Sequence, residues 1–294
     1  MKNRVVALGF FDGVHIGHGA LLAKTREVAL RLDATASVMT YSNHPSGVLG
    51  HDAVKLINTT AERCVLMREL YGIEDIIVKE FTEEYSALSC EKFFEDIILN
   101  ELCACHVVAG FDFRFGSKGK GDATRLSALA GENGLGCDII DAVSCDGETV
   151  SSSSIRVCIK NGDMERAERL LGHPHCIISE ITHGRGLGNQ LGFPTVNQEL
   201  ESNILVPRYG VYAARVWIDG KSYGGVTNIG VRPTVAERAI PRAETNIFDF
   251  SGDLYGKTIK TELISFIRDE KKFSDIESLR RQIALDAEAA KRLF

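Results

Sequence analysis

The chain has 294 residues, 44% of them hydrophobic and 25% charged, which suits about two globular domains, each burying a core. A formal net charge of -6 excludes a global positive field for nucleic acid or an anionic membrane surface. No segment approaches the run of about 18 apolar residues that a membrane helix needs, and MKNRVVALGF lacks the features of a secretory leader, so a cytoplasmic protein is expected.

The run RVVALGF predicts a first strand, followed by GFFDGVHIGH at residues 9–18 and then a helix whose Leu21, Leu22, Val28, Ala29 and Leu32 share one face. Further apolar, β-branched runs follow in ASVMTY, DIIVKEF, HVVAGF and CDIIDAV, separated by longer segments. Such spacing predicts a Rossmann-like parallel sheet with crossover helices, its strands buried on both faces. One of those helices, SCEKFFEDIILNEL, starts at a cap on Ser89.

The eight cysteines contain no CxxC pair, so reduced, mostly buried thiols are expected. Cys103-Ala-Cys105-His106 has no second ligand cluster at matching spacing and reads as the lead into a strand. The serines at 151–154 read as a loop opening a helix, and MERAERLL as the next helix. The boundary falls near Gly172-His173-Pro174-His175, giving domains 1–172 and 173–294.

From about residue 175 the pattern becomes short strands divided by glycines: GVYAARVWI, KSYGGVTNI, ETNIFDF and KTIKTELISFI. Asp219-Gly220 predicts a two-residue hairpin, because its turn needs positive φ at both central residues. An antiparallel six-stranded β-barrel is expected, followed by a terminal helix. Ser274 and Glu277 predict a capping box for that helix, with Ile276, Leu279, Ile283, Ala287 and Ala290 as its apolar stripe.

Three segments carry phosphate chemistry in the first domain. At the strand-to-helix turn, Gly9, Gly13 and Gly17 allow close approach of backbone, and His15 and His18, three apart, point the same way at the helix opening. GFDFRFGSKGKGD at 110–122 offers Arg114, Lys118 and Lys120 among glycines, either as an anion-binding loop or as a solvated turn. SSSSIR at 151–156 places hydroxyls and open N–H groups at a helix start, with Arg156 one turn in.

In the second domain, GRGLGNQLGFPTVN has four glycines in nine residues, Gly184, Gly186, Gly188 and Gly192, and then Pro194-Thr195-Val196-Asn197. On a strand, Thr195 and Asn197 face the same side and can offer two oxygens to a hard cation, with Mg²⁺ the expected guest. Turn capping by the same two residues is the structural alternative.

GFFDGVHIGH, His44-Pro45, GFDFRFG and SSSSIR, then GFPT-x-N, TNIGVRPT and the strand AETNIFDF, occur in one order along the chain. In that order they resemble the bifunctional bacterial riboflavin kinase/FAD synthetases, whose first module shares a nucleotidyltransferase superfamily, and the HIGH letters, with class I aminoacyl-tRNA synthetases. The resemblance implies two ATP-dependent reactions, phosphorylation of riboflavin to FMN and adenylylation of FMN to FAD with release of pyrophosphate. It assigns His15 and His18 to the triphosphate and Glu244 to the proton of the riboflavin 5′-hydroxyl. Gly9, Phe10, Asp12, Gly13, Gly17, Ser152, Ser153, Arg156 and, in the second module, Gly184, Gly186, Gly188, Gly192 and Pro194 are assigned to ATP. Asp112, Phe113 and Arg268 are assigned to flavin, and Thr195 and Asn197 to Mg²⁺.

The chain departs from the pattern at Ser153, where the family often has Thr, and at Thr149 and Asn189, where it usually has basic residues. A rival reading therefore has only one active module, a monofunctional riboflavin kinase or a flavin-binding regulator. An RNA-charging enzyme would need an anticodon-binding region, a basic surface and a KMSKS-like lysine loop, which the sequence lacks. The expected partners are riboflavin, FMN and ATP, without nucleic acid or membrane and with at most weak or transient self-association.

Overall fold

The computed structural model describes residues 3–50, 52–182, 192–231 and 240–294. They divide into two compact units at Ser152/Ser153.

In the first unit β1 (Arg4–Leu8) lies at the centre of a five-stranded sheet of order β3-β2-β1-β4-β5. Its neighbours are β2 (Thr35–Tyr41), β3 (Asp75–Lys79), β4 (Ala104–Gly110) and β5 (Gly136–Ile140), all paired in parallel. The chain builds outward from β1 to β3, then crosses back to place β4 on the other side of β1. That reversal opens a crevice beyond the carboxyl ends of β1 and β4, where open α/β sheets receive ligands. Both GFFDGVHIGH and GFDFRFG leave the sheet at this edge. Val5, Val6 and Ala7 of β1 have no exposed surface, as expected of a central strand, whereas the edge strands β3 and β5 are mostly half-buried.

Helix α1 (Ile16–Leu32) packs on β1 and β2 through Leu21, Leu22, Thr25, Val28 and Ala29. Leu32, expected on that face, stays 45% exposed in the last turn, where Asp33 ends the helix in left-handed backbone. Thr25 takes an inward position because its hydroxyl is satisfied by the Leu21 carbonyl at 2.8 Å. The short α2 (Pro45–Val48) is capped by His44. In α3 (Thr60–Tyr71), Thr59 and Glu62 form a reciprocal capping box.

The short α4 (Glu83–Ser86) precedes α5 (Cys90–Lys92), which Ser89 caps as expected. The segment then runs on from Phe93 to Glu101 as a π-helix, a departure from the plain helix expected there. Its wider turn still buries Phe93, Phe94, Ile97 and Ile98 on the sheet. Helix α6 (Ala123–Glu132) precedes β5, and a two-stranded ribbon of β6 (Ser144–Cys145) and β7 (Glu148–Thr149) follows it. The cysteines are free as expected, but only Cys158 and Cys176 are buried; the other six are half-buried, several at edge strands or element ends.

Helix α7 (Ser152–Asn161) starts within the serine run, so the serines form its first turn rather than a separate loop. Helix α8 (Met164–Leu171) leads into a closed barrel of order β10-β11-β12-β9-β8-β13. Its strands are β8 (His175–Thr182), β9 (Thr195–Glu199), β10 (Gly210–Ile218), β11 (Lys221–Val231), β12 (Pro241–Ile247) and β13 (Thr258–Arg268), and every pair is antiparallel. Asp219 and Gly220 have φ of 48° and 77°, the predicted hairpin between Ile218 and Lys221. Buried polar groups in the barrel satisfy one another: the Thr261 hydroxyl donates to Gln198 Oε1 at 2.6 Å, and the hydroxyls of Thr227 and Thr245 lie 2.8 Å apart.

The terminal helix α9 (Ile276–Lys291) is capped by Asp275, not by the predicted Ser274. The Asp275 carboxylate accepts from Ser278 N at 2.7 Å, while the Ser274 hydroxyl only donates to that carboxylate. Ala287 and Ala290 are buried and Leu279 and Ile283 half-buried, but Ile276 is 67% exposed because it stands at the first position of the helix.

Candidate functional site

At the end of β1 the backbone makes a turn that ordinary residues resist. Phe11, Gly13 and Val14 have φ of 59°, 85° and 45°, and Val14 is β-branched. Such a conformation persists only where its surroundings over-determine it, and here they do. Asp12 Oδ1 accepts from the backbone N–H groups of Ile57 at 2.9 Å and Asn58 at 3.3 Å. The Asp12 carbonyl accepts from the Ser152 hydroxyl at 2.9 Å, and the Phe10 carbonyl from Thr40 Oγ1 at 2.9 Å and from Arg63.

His15 caps α1, its Nδ1 accepting from His18 N at 3.2 Å. That bond leaves Nε2 as the protonated nitrogen of a neutral His15. The two imidazoles stack with centroids 3.6 Å apart and planes 13° apart, and Phe11 meets His18 edge-on at 5.2 Å. A Cβ at Gly17 would lie 3.1 Å from the His15 ring, so glycine keeps the stack clear. Burial, followed by the neighbouring His15 and Arg63, holds the pKa of His18 well below the usual imidazole range. Its Nδ1 is buried with no protein partner among the described residues. The pair thus sets two stacked imidazoles at a helix N-terminus, His18 held neutral by its burial. His44 of the HP dipeptide meets the Phe10 ring edge-on at 4.8 Å, which brings that motif to the same turn.

Beyond β4, Phe113 N bonds back to the Gly110 carbonyl at 3.0 Å, leaving Asp112 exposed and Phe113 half-buried against Phe115. Mutual backbone bonds between Phe115 and Gly121 at 3.1 and 2.9 Å close the loop that carries Lys118 and Lys120. Ser152 is tied to the Asp12 turn; Ser153 and Arg156 follow it on α7, which the division assigns to the second unit.

In the barrel, strand register assembles the second site. Glu244 on β12 pairs with Asn197 on β9 and with Asn228 on β11, and Thr195 pairs with Asn246. Cross-strand partners share a face, so Asn197, Glu244 and Asn228 form a polar row. Glu244 and Asn228 line a cavity of about 350 Å³ whose wall includes Phe193, Val211, Thr195 and, from α9, Leu279 and Ile283. Arg268 enters it with its guanidinium held by both carboxylate oxygens of Asp286, at 2.8 and 2.6 Å.

Among the described residues Asn197 Oδ1 is buried without a protein partner, and Thr195 stands two residues away on the same face. An orphaned amide oxygen beside a hydroxyl and a carboxylate is a donor set suited to a hard divalent cation, so the residues present fit Mg²⁺. Pro194 carries a carbonyl that accepts from Asn246 at 2.7 Å, and Gly192 has φ of 82°. Gly184, Gly186 and Gly188, together with Arg185 and Asn189, lie outside the described residues, as does the end of TNIGVRPT.

Three residues of these sites escape sequence reasoning: Arg63, Asn228 and Asp286. Arg63 lies in the first turn of α3 after the Thr59 cap, and nothing in that local sequence tells a buried arginine from a solvated one. Asn228 and Asp286 matter through register and tertiary pairing, which spacing does not reveal.

Residues 1–154 match the FAD synthetase family and residues 171–294 the Riboflavin kinase family. The bifunctional riboflavin kinase/FMN adenylyltransferase of Bacillus subtilis is 40% identical over 99% of this chain and 92% of its own length. Those of Pseudomonas fluorescens and Escherichia coli are 35% and 33% identical, covering 99% of this chain in each case and 93% and 92% of their own. A solved structure described as a macrolide-efflux protein from Streptococcus pneumoniae superposes with a TM-score of 0.85 at 30% identity, over 99% of this chain and 94% of that one. Among the described residues no helix is long and apolar enough to cross a membrane. Two family matches in tandem, each enclosing one built site, together with relatives of this identity over nearly the full length, establish that the chain belongs to the bifunctional riboflavin kinase/FMN adenylyltransferase family.

Proposed function

We propose that the chain makes FMN from riboflavin and ATP in its barrel, and FAD from FMN and ATP in its parallel-sheet unit. What carries this reading is that each family match encloses one assembled site: 1–154 the strained turn with its histidine stack, 171–294 the row around Glu244. The reading puts the functional division at 172/173, just after the start of the second match and at the end of α8.

In the barrel, Glu244 takes the proton of the riboflavin 5′-hydroxyl as that oxygen bonds to the γ-phosphorus of ATP and the bond to the β-phosphate bridging oxygen breaks, releasing ADP. Asn197 and Asn228 flank Glu244 on the neighbouring strands. Thr195 and Asn197 would hold Mg²⁺, which when bound offsets the negative charge of the phosphates. Arg268, locked by Asp286, borders the flavin.

In the other reaction an oxygen of the FMN phosphate attacks the α-phosphorus of ATP and pyrophosphate leaves. No protein nucleophile is needed; the chain orients the groups and stabilises charge that accumulates on the leaving phosphates. His15 and His18 donate ring N–H groups to them, and Phe10, Gly13 and Gly17 line the turn together with Gly9, whose own N–H is held by the Met39 carbonyl at 3.3 Å. Asp12 acts by holding that turn to residues 57 and 58. Ser152, Ser153 and Arg156 serve the phosphates, and Asp112 and Phe113 the flavin. The reading includes a cytoplasmic location.

Incubation of the pure protein with riboflavin, ATP and Mg²⁺, with chromatographic separation of flavins, is expected to give FMN first and FAD after it. Absence of both products would sink the proposal. FMN without FAD would favour an inactive first module, consistent with Thr149 replacing a basic residue.

A further inference from the structure

Arg63 projects from α3 with no exposed surface, among the largest fully buried side chains of the protein. Its Nη1 donates to the Phe10 carbonyl and to Thr40 Oγ1 at 3.0 Å; its Nη2 donates to the Tyr41 carbonyl at 2.8 Å and Thr60 Oγ1 at 3.0 Å. The guanidinium also lies 4.2 Å from the centroid of the Phe10 ring. One side chain thus joins the ends of β1 and β2 to the start of α3, and it grips the residue immediately before the strained Phe11–Val14 turn.

All of these oxygens are neutral. No carboxylate forms an ion pair with Arg63 among the described residues, and its Nε is buried without a partner. Asp12 is near enough to act on it, but an oxygen of that carboxylate is engaged by the N–H groups of Ile57 and Asn58, and desolvation is the larger influence on the arginine. A buried cation without a directly paired carboxylate is costly to the fold. If it served packing alone, an apolar side chain of the same length would do as well. Its position beneath the histidine-bearing turn gives the charge a use, since a polyanion arriving there would be attracted through low-dielectric protein.

We propose that Arg63 is a positioning residue for adenylyl transfer: it holds the Phe10–Val14 turn by the Phe10 carbonyl and places a positive charge with no directly paired carboxylate under the groups that receive the triphosphate. This rests on the assignment of adenylyl transfer to the first unit. The two roles separate in substitutions, because lysine keeps the charge but cannot span four oxygens with a planar fork, and methionine keeps only the length.

The test uses the full chain carrying Arg63→Lys or Arg63→Met. FAD formation from supplied FMN gives kcat and the KM for ATP, thermal unfolding reports the folded fraction, and riboflavin phosphorylation in the same sample checks concentration. Arg63→Met is expected to raise the KM for ATP about tenfold or more and to lower kcat, the size expected when a unit charge acting through protein is removed. Arg63→Lys should return the KM to within about threefold of the unsubstituted chain yet leave kcat about tenfold low, because one ammonium cannot replace the fork.

Folded Arg63→Met protein with both constants within about twofold of the unsubstituted chain would overturn the proposal. So would activity that falls only in proportion to the folded fraction. If the methionine variant does not fold, unchanged kcat in Arg63→Lys is the overturning result. Absence of FAD from the unsubstituted chain would refute the assignment of the reaction. Calorimetric titration with inorganic pyrophosphate would then decide the charge, with binding unaltered in Arg63→Met counting against it.

Discussion

Glu244 stands between two asparagines whose positions are set by strand pairing, and it lines the barrel cavity. Glu244→Gln is expected to lower FMN formation by about a hundredfold or more, the usual weight of a general base, and to leave FAD formation from supplied FMN unchanged. His18→Ala should do the reverse, and separate assays with riboflavin and with FMN read the difference. A folded single variant that lost both activities would defeat the two-site assignment. The spacing of His15 and His18 was legible because three residues at a helix start determine direction. Their ring stack was not, since it depends on Gly17 leaving space and on His15 Nδ1 turning toward His18 N.

Elements were most legible where one short segment contains all the needed physics. Asp219-Gly220 is such a case, because positive φ at two successive residues is a local requirement. The start of α9 is the opposite, since Ser274-x-x-Glu277 and Asp275-x-x-Ser278 are overlapping signals one residue apart. The chain chose Asp275, whose ionised carboxylate binds both Ser278 N and the Ser278 hydroxyl. Asp275→Ala is therefore expected to cost about 1 kcal/mol of stability, against less than about 0.5 kcal/mol for Ser274→Ala, as read from denaturation midpoints. Equal effects would return the cap to Ser274. The π-helical stretch after Lys92 was hidden for a different reason: a π turn and an α turn bury nearly the same residues, so hydrophobic periodicity does not separate them.

At the scale of the whole molecule, the two reactions are joined by one compound, since FMN leaves the barrel as product and enters the other unit as substrate. A mixture of Glu244→Gln and His18→Ala proteins, each unable alone to convert riboflavin into FAD, is expected to make FAD when combined. The rate should rise with protein concentration, and no FAD at any concentration would mean that FMN does not pass between molecules through solution. By itself the sequence determined the order of strands and helices, the change from parallel sheet to barrel, and the ordered motifs that revealed the family, because these reside in periodicity and short segments. Tertiary structure alone decided what surrounds the motifs. It set Glu244 between Asn197 and Asn228, paired Arg268 with Asp286, and brought a buried Arg63 beneath the Phe10–Val14 turn. Each of those relations joins residues many positions apart through register or packing, and the composition of either segment carries no record of the other.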